Sequence, residues 1–350
     1  MRRFIIKFIL LASPLFLILV GVNYFGDAAN LFKSEYEEKM ASIVMNDNYV
    51  TNIGNYDERI FQKKVVNKMD SAPKILVFGS SRTMLINTDF FPNQTLYNNS
   101  VSGASLEDII GLFQIYNEHD LLPEKIILGV DPWLFNKNNG QSRWKSIRNF
   151  YNDYHNNFES KLEGEKIYQY KQLFQLSYFQ ASVKSLARKT VRNSEPMSTK
   201  RKYNSTNTKL VDGSLAYKSA YRNASQAEIN SKIESYVQGK IYSIENFKDV
   251  SDDLWNEFQA FIHGLRNDGI SVEFFLCPYA PLVFDRVSKN YPNVIKTENI
   301  INDFAKDNEI KVHGSFNPYK LGFNESFFYD GMHCKEKGIE MILENELKSR

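Results

Sequence analysis

The apolar positions of this chain switch between two periods, and the switching predicts most of its elements. Lys74-Ile-Leu-Val-Phe78 is apolar after its first residue and is bounded by Pro73 and Gly79, the pattern of a short strand buried on both faces. Leu106 to Tyr116 carries apolar residues at Leu106, Ile109, Ile110, Leu112, Phe113 and Ile115, the spacing of an amphipathic helix. Lys125-Ile-Ile-Leu-Gly-Val130 predicts a second buried strand, closed by Asp131-Pro132. Leu254 to Leu265 then reads as a helix, and Ser271 to Leu276 as a strand stopped by Cys277-Pro278. Thr297 to Phe304 is helical, Ile310 to Val312 a short strand, and Lys335 to Leu347 a terminal helix. Strands alternating with helices predict an α/β domain, a parallel sheet covered on both faces in three layers, α/β/α. Ligands of such sheets bind beyond the carboxyl ends of the strands, and Gly79, Gly129 and Cys277 mark such ends.

Two stretches break the alternation. Met1-Arg2-Arg3 is basic, Phe8 to Val22 carries no charge, and Phe4 to Phe25, with Lys7 near one end, approaches the roughly 20 residues that cross a bilayer. The expectation is a single-pass anchor in a bacterial inner membrane, with the N-terminus inside and the remainder in the periplasm or outside. A signal peptide cleaved near Asp27-Ala28-Ala29 is the competing reading. The chain thus divides into an anchor over 1–26, a stalk or early helical segment over 27–72, and a main domain over 73–350 with an insertion at about 137–249. The insertion is rich in Asn, Lys, Ser and Tyr, with a helix expected over Ile167 to Arg188 and a loop over Asn193 to Thr208. It reads either as a cap whose tyrosines stack on sugar rings or as a structural insertion whose tyrosines are half-buried.

Charge and composition narrow the chemistry. A formal net charge of +2, without a basic stripe interleaved with aromatics, argues against nucleic acid as a partner. The histidines and the two cysteines, Cys277 and Cys334, show no zinc-type spacing, and neither a metal nor an organic cofactor is implied. In an oxidising compartment the cysteines either pair, bracing the segment after His333, or stay as two thiols. Asn93-Gln-Thr and Asn204-Ser-Thr are sequons that chance explains in so Asn-rich a chain.

Candidate chemistry lies at two distant points. Gly79-Ser80-Ser81 follows the first strand, and Asp330-Gly-Met-His333 precedes the terminal helix. A serine hydroxyl is a poor nucleophile until a base takes its proton, and that base needs a carboxylate to fix its tautomer. Ser81, His333 and Asp330 supply those three roles. Gly103 would let a backbone N–H approach a reacting carbonyl unobstructed. Each piece has a plainer reading: a turn for Gly-Ser-Ser, a solvated loop for Asp-x-x-His, a helix cap for Ser102 or Ser105. Their conjunction in order favours a triad. Arg82 reads as a ligand for an anionic substrate or as the partner of a nearby carboxylate. Trp133 reads as a sugar platform or as a core anchor.

Four blocks, in order, resemble the SGNH (GDSL-type) hydrolase superfamily. Gly79-Ser80-Ser81 is similar to its Gly-Asp-Ser block, with Ser80 in place of the usual Asp and Ser81 as nucleophile. Asn98-Asn-Ser-Val-Ser-Gly103-Ala-Ser resembles the second block, whose glycine gives an N–H to the oxyanion. Asp330-Gly-Met-His333 matches the last block. The third is Gly-x-Asn-Asp in the family, where the Asn side chain completes the oxyanion hole; here it reads Gly129-Val-Asp131-Pro132. An ionised Asp131 offers no donor, and losing one typically costs about 10²–10³ in rate. Gly-Ser-Ser behind an N-terminal anchor looks like the anchored proteins of alginate acetylation and teichoic-acid D-alanylation. That resemblance implies an SGNH/flavodoxin-like sheet and acyl transfer or deacylation, acetyl foremost, on a cell-envelope polysaccharide or acylated glycan. It also implies a membrane partner that delivers the acyl donor. The rival expectations are a general periplasmic esterase or lipase, and a degenerate domain that binds polysaccharide or scaffolds an assembly.

Overall fold

A computed structural model describes residues 2–26, 35–155 and 195–344, with scattered positions between 173 and 186. The first helix, α1, runs Arg2–Gly26 with Pro14 inside it. Helices α2 (Glu35–Met45) and α3 (Glu58–Val66) flank strand β1 (Tyr49–Thr51). Next come β2 (Ile75–Phe78), β3 (Leu96–Asn98), α4 (Leu106–Glu118), β4 (Lys125–Gly129) and α5 (Arg148–His155). Three short strands follow in the insertion: β5 (Met197–Thr199), β6 (Thr208–Lys209) and β7 (Leu215–Ala216). The helices Ser219–Arg222, Gln226–Gln238 and Asp252–Asn267 lead to β8 (Ser271–Leu276). Helices Pro281–Asn290 and Pro292–Asp307, strand β9 (Lys311–Gly314) and helix Glu336–Glu344 complete the described chain.

The apolar runs form the main sheet. Its five strands lie in the order β3-β2-β4-β8-β9, and every neighbouring pair is parallel. All four residues of β2 are buried, as are four of the five in β4, so both faces of the sheet centre are covered. After β2 the chain steps to β3 on one side and returns to β4 on the other. That reversal makes a crevice beyond the carboxyl ends of β2 and β4.

Two expectations are corrected. The first is a parallel sheet alone: a second, four-stranded antiparallel sheet has the order β5-β1-β6-β7. It joins residues 49–51 to the insertion, with Tyr49 opposite Thr199 and Val50 opposite Lys209. The second is the N-terminal transmembrane span. Among the described residues, no helix is long and apolar enough to cross a membrane. Part of the distal half of α1 meets protein, while Leu15, Leu17, Ile18 and Phe25 stay largely exposed. Phe16 stacks on Phe174 at 5.4 Å. Asn23 is fully buried and donates to the Leu173 carbonyl at 2.8 Å. A side chain on Gly26 would run into Ser182. The Asp27-Ala28-Ala29 cleavage site, most of the expected 167–188 helix and the last residues of the terminal helix lie outside the described residues.

The early segment joins the core. Met40 and Val44 of α2 and Phe61 and Val65 of α3 are buried in the same cluster as the β2 and β4 side chains. Full burial of such apolar side chains contributes about 1.5–3 kcal/mol each. The α3 N-terminus is fixed by Asp57, whose side chain accepts from the Arg59 and Ile60 N–H groups.

Candidate active site

The turn after β2 sets the site. Gly79 has φ +153°, and a Cβ there would meet Thr83 Oγ1 at 2.6 Å and Gly129 Cα at 3.1 Å. A residue without a side chain is therefore required where β2 and β4 come closest. Beyond it, Ser80 is buried, its hydroxyl accepting from the Arg82 N–H at 3.2 Å, while Ser81 is only half-buried. Thr83 Oγ1 donates to the Ser80 carbonyl at 2.9 Å and stands 2.8 Å from Ser100 Oγ.

The Asp330–His333 loop reaches the same crevice from the other end of the chain. Phe328 and Cys334 form an antiparallel bridge, and the Tyr329 N–H donates to the His333 carbonyl at 2.9 Å, closing a tight loop. The Ala280 N–H, just beyond β8, donates to the Gly331 carbonyl at 3.1 Å. Residues 252 positions apart thus meet: Ser81 Oγ lies 2.9 Å from His333 Nε2. His333 Nδ1 lies 2.9 Å from Asp330 Oδ2 and 3.0 Å from Oδ1. The Asp330 carboxylate also accepts the N–H groups of Met332 at 2.8 Å and His333 at 2.9 Å. Burial works to raise the Asp330 pKa, but the facing His333 and these donors outweigh it and hold the carboxyl at about 2. Asp330 is therefore a carboxylate at neutral pH.

Arg82 and Asp131 form the floor. Arg82 is 2 % exposed, and its guanidinium donates to Asp131 Oδ1 at 2.8 Å, to the Met332 carbonyl at 3.2 Å and to the Cys277 carbonyl. Its charge also lies 4.3 Å from the centre of the Tyr279 ring. One side chain thereby ties the ends of β2, β4 and β8 to the histidine loop. Burial pushes the Asp131 carboxyl up, against Arg82 and the Ser80 hydroxyl, which pull it down. Of the two readings of Arg82, the pairing is the one present: all three nitrogens are engaged with the protein. Trp133 is 1 % exposed and donates its indole N–H to the Ala104 carbonyl at 2.9 Å. It is a core anchor and offers no platform to a ligand.

Gly103 follows β3 on the loop that leads into α4. Its φ is +56°, and a side chain there would collide with the Tyr242 phenol and the Arg143 guanidinium. The loop is knitted to the serine turn. Asn98 Nδ2 donates to the Thr83 and Ile86 carbonyls, both at 2.8 Å, and the Val101 N–H donates to the Gly79 carbonyl at 3.0 Å. From α3, Arg59 donates to the Ser102 carbonyl at 3.1 Å, while Glu58 accepts from the Ser102 hydroxyl at 2.8 Å and from its N–H. Arg59 also pairs with buried Asp108 at 2.8 Å, and Asp108 with Ser105 forms the capping box of α4.

Two features had no motif to announce them, the Glu58–Arg59 grip and Tyr221, and the cysteines resolve one open reading. Glu58 and Arg59 grip the Gly103 loop from a segment read as stalk or early helical layer. Cys277 and Cys334 are both buried free thiols, the second of the two readings. Tyr221, from the insertion, donates its hydroxyl to Asp330 Oδ2. Tyr217 and Tyr221 appear in the sequence only as two of many tyrosines; their ring centres lie 5.1 Å apart, and Tyr217 is 6.3 Å from the His333 ring.

Compared with known families, residues 5–344 match the one described as "Protein of unknown function (DUF1574)". The chain belongs to that family. No curated protein matches it. Membership therefore leaves the chemistry to be argued from Ser81, His333 and Asp330.

Proposed function

We propose that this chain is an SGNH-like serine acyl esterase or acyltransferase acting on O-acyl groups, acetyl foremost, of a cell-envelope carbohydrate. The observation that carries the reading is the hydrogen-bonded line from Ser81 Oγ through His333 to Asp330, with 2.9 Å at each link. His333 Nε2 takes the Ser81 proton as Oγ attacks the acyl carbonyl, and Asp330 holds the imidazolium that forms. The N–H groups of Gly103 and Ser81 are the assigned donors to the oxyanion. Collapse of the tetrahedral intermediate expels the sugar oxygen, which takes its proton from His333 and leaves acyl-Ser81. Water or a second sugar hydroxyl, deprotonated by His333, then releases the acid or forms a new ester.

Asp131 shapes the expected rate. Its charge faces Arg82, so opposition to a developing oxyanion is muted, yet it supplies no donor. Turnover of simple esters should fall below that of an enzyme with an Asn there by about 10²–10³.

The test follows acetate release and enzyme mass with an O-acetylated polysaccharide and, separately, p-nitrophenyl acetate. Acetate from the polysaccharide, an acetyl adduct on Ser81 and silence in Ser81→Ala are expected. Folded wild type that forms no adduct and releases no acetate from either contradicts the reading. Asp131 favours one alternative, a binding domain without turnover. Glycan binding that survives Ser81→Ala, again with no adduct, would support it.

A further inference from the structure

Asp330 is saturated by donors from two sources. Its Oδ1 accepts the N–H groups of Met332 and His333 from its own loop. Its Oδ2 faces His333 Nδ1 at 2.9 Å and takes the Tyr221 hydroxyl as well. A carboxylate has about four acceptor positions, so the shell is full, and Tyr221 is its member from a distant segment. The phenol is held for this task. Its ring lies 5.1 Å from that of Tyr217 and 5.4 Å from that of Tyr329, and the Lys232 ammonium sits 4.2 Å over it. Below, the Arg222 guanidinium donates to the Tyr217 carbonyl at 2.7 Å and packs on Tyr203 at 4.2 Å.

We propose that Tyr221 is a positioning residue for the triad: it shares Asp330 Oδ2 with His333 and thereby sets how strongly the carboxylate supports the imidazolium. The proposal rests on the acyl-transfer reading and adds a residue that its motifs do not contain. Burial, and then the Asp330 charge, push the Tyr221 phenol far above its ordinary range, so it remains a donor at every working pH. Donation withdraws electron density from Oδ2. Without it, Oδ2 faces His333 alone, the Asp330–His333 bond tightens, and the imidazolium is favoured to higher pH. The insertion thus reaches the reaction through the acid of the triad, whether or not it touches the substrate.

Other charges face this group and must stay constant in the test. Tyr236 and Lys232 approach from helix Gln226–Gln238, and Tyr329 with its partner Glu336 from the terminal side. Arg82, paired with Asp131, lies beneath with Cys277. Tyr221→Phe changes none of them and keeps the ring.

The experiment measures the rate of serine labelling by a fluorophosphonate from pH 5 to pH 9 (about the range in which a histidine base titrates). The wild type is compared with Tyr221→Phe and Tyr217→Phe. In parallel, the proton resonance of the His333 Nδ1–H is followed by NMR, which needs no turnover. Tyr221→Phe should move the acid limb of the profile up by roughly half a pH unit or more and shift that resonance downfield. At pH 7 it should slow labelling about two- to three-fold, as a half-unit shift of a single base implies, while Tyr217→Phe leaves limb and resonance in place. If Tyr221→Phe folds poorly, 3-fluorotyrosine at position 221, a stronger donor, should move both readouts the opposite way. Unchanged limb and resonance with a wild type that labels overturn the role of Tyr221 and leave the acyl-transfer reading intact. A wild type that never labels removes that reading and the proposal with it, even if the resonance shift survives as a structural coupling.

Discussion

Among the described residues three histidines pair with carboxylates, His155 with Glu257, His313 with Glu273 and His333 with Asp330, and of the two pairs at the main sheet only the last has the surroundings of a catalyst. His313 Nε2 lies 2.8 Å from Glu273 Oε2, as close as His333 is to Asp330. His313 sits on β9 and Glu273 on the neighbouring β8, three residues in from its amino end, with Lys125 from the start of β4 bonded to Glu273 at 2.7 Å. That pair is sealed: His313 is 3 % exposed, and its imidazole meets a carboxylate already serving a lysine. The His333 side chain is 19 % exposed and turns its second nitrogen to a serine hydroxyl. The same two side-chain types brace a sheet in one place and form a relay in the other. What separates them is the third group and the path to solvent. A histidine beside a carboxylate is weak evidence of catalysis until both are known.

The comparison can be broken most severely at the histidines. His333→Ala should lower Ser81-dependent ester turnover by about 10⁴ or more, since nucleophile and base act as a unit. His313→Ala should leave turnover within a few-fold. Equal losses in the two, at equal folded fraction, would erase the distinction.

The carboxylates come next. Asp330→Asn should cost about 10²–10⁴ in turnover, because an amide leaves the imidazole in the wrong tautomer. Glu273→Gln should change turnover less than two-fold, because Glu273 lies near the amino end of β8 and Ser81 beyond the carboxyl end of β2 in the same parallel sheet. Steady-state assays on both variants, with circular dichroism as the folding control, decide it.

Stability should show the reverse ranking. His313→Ala strips a donor from a largely enclosed carboxylate and should destabilise by about 1–3 kcal/mol in urea unfolding. His333→Ala, at a more open position, should cost less.

The smallest effect is in acid. Burial raises the Glu273 pKa, but the His313 and Lys125 hydrogen bonds overcome it and hold the carboxyl at about 2, the same direction as Asp330. Both groups titrate lower folded than unfolded, where values of roughly 4 apply. Their contribution is therefore complete above about pH 5 and lost as pH falls toward 2. Unfolding midpoints measured from pH 6 to about pH 2 should fall less steeply in Glu273→Gln than in wild type.

The sequence exposes these regions unequally. Strands β2, β4 and β8 are legible because each is a compact apolar run closed by Gly or Pro, and β8 spans Ser271–Leu276 as its pattern predicts. The edge strand β3 is only Leu96–Asn98, and its last residue is a buried polar one whose amide serves the Thr83 and Ile86 carbonyls. No apolar period marks such a strand. Pro292 begins a sixteen-residue helix of which periodicity shows only the middle. The antiparallel sheet is invisible because its strands have two or three residues and β1 pairs with a strand nearly 150 positions later. Within the site, Ser81, Asp330 and His333 are legible as spaced types. Tyr221 and Glu58 are not, since each acts through a contact that only folding creates. The apolar run of α1 misleads for the opposite reason: composition suggests lipid, while Asn23 and Phe16 have protein partners.

The central claim is that Ser81 is an activated nucleophile, and covalent labelling by a serine-directed fluorophosphonate tests it most directly. Wild type, Ser81→Ala, Ser80→Ala and His333→Ala would be compared by intact mass at pH 7.5. The account predicts one adduct on wild type and on Ser80→Ala, and none on Ser81→Ala or His333→Ala. An adduct that persists in Ser81→Ala, or a folded wild type that takes none, would contradict it.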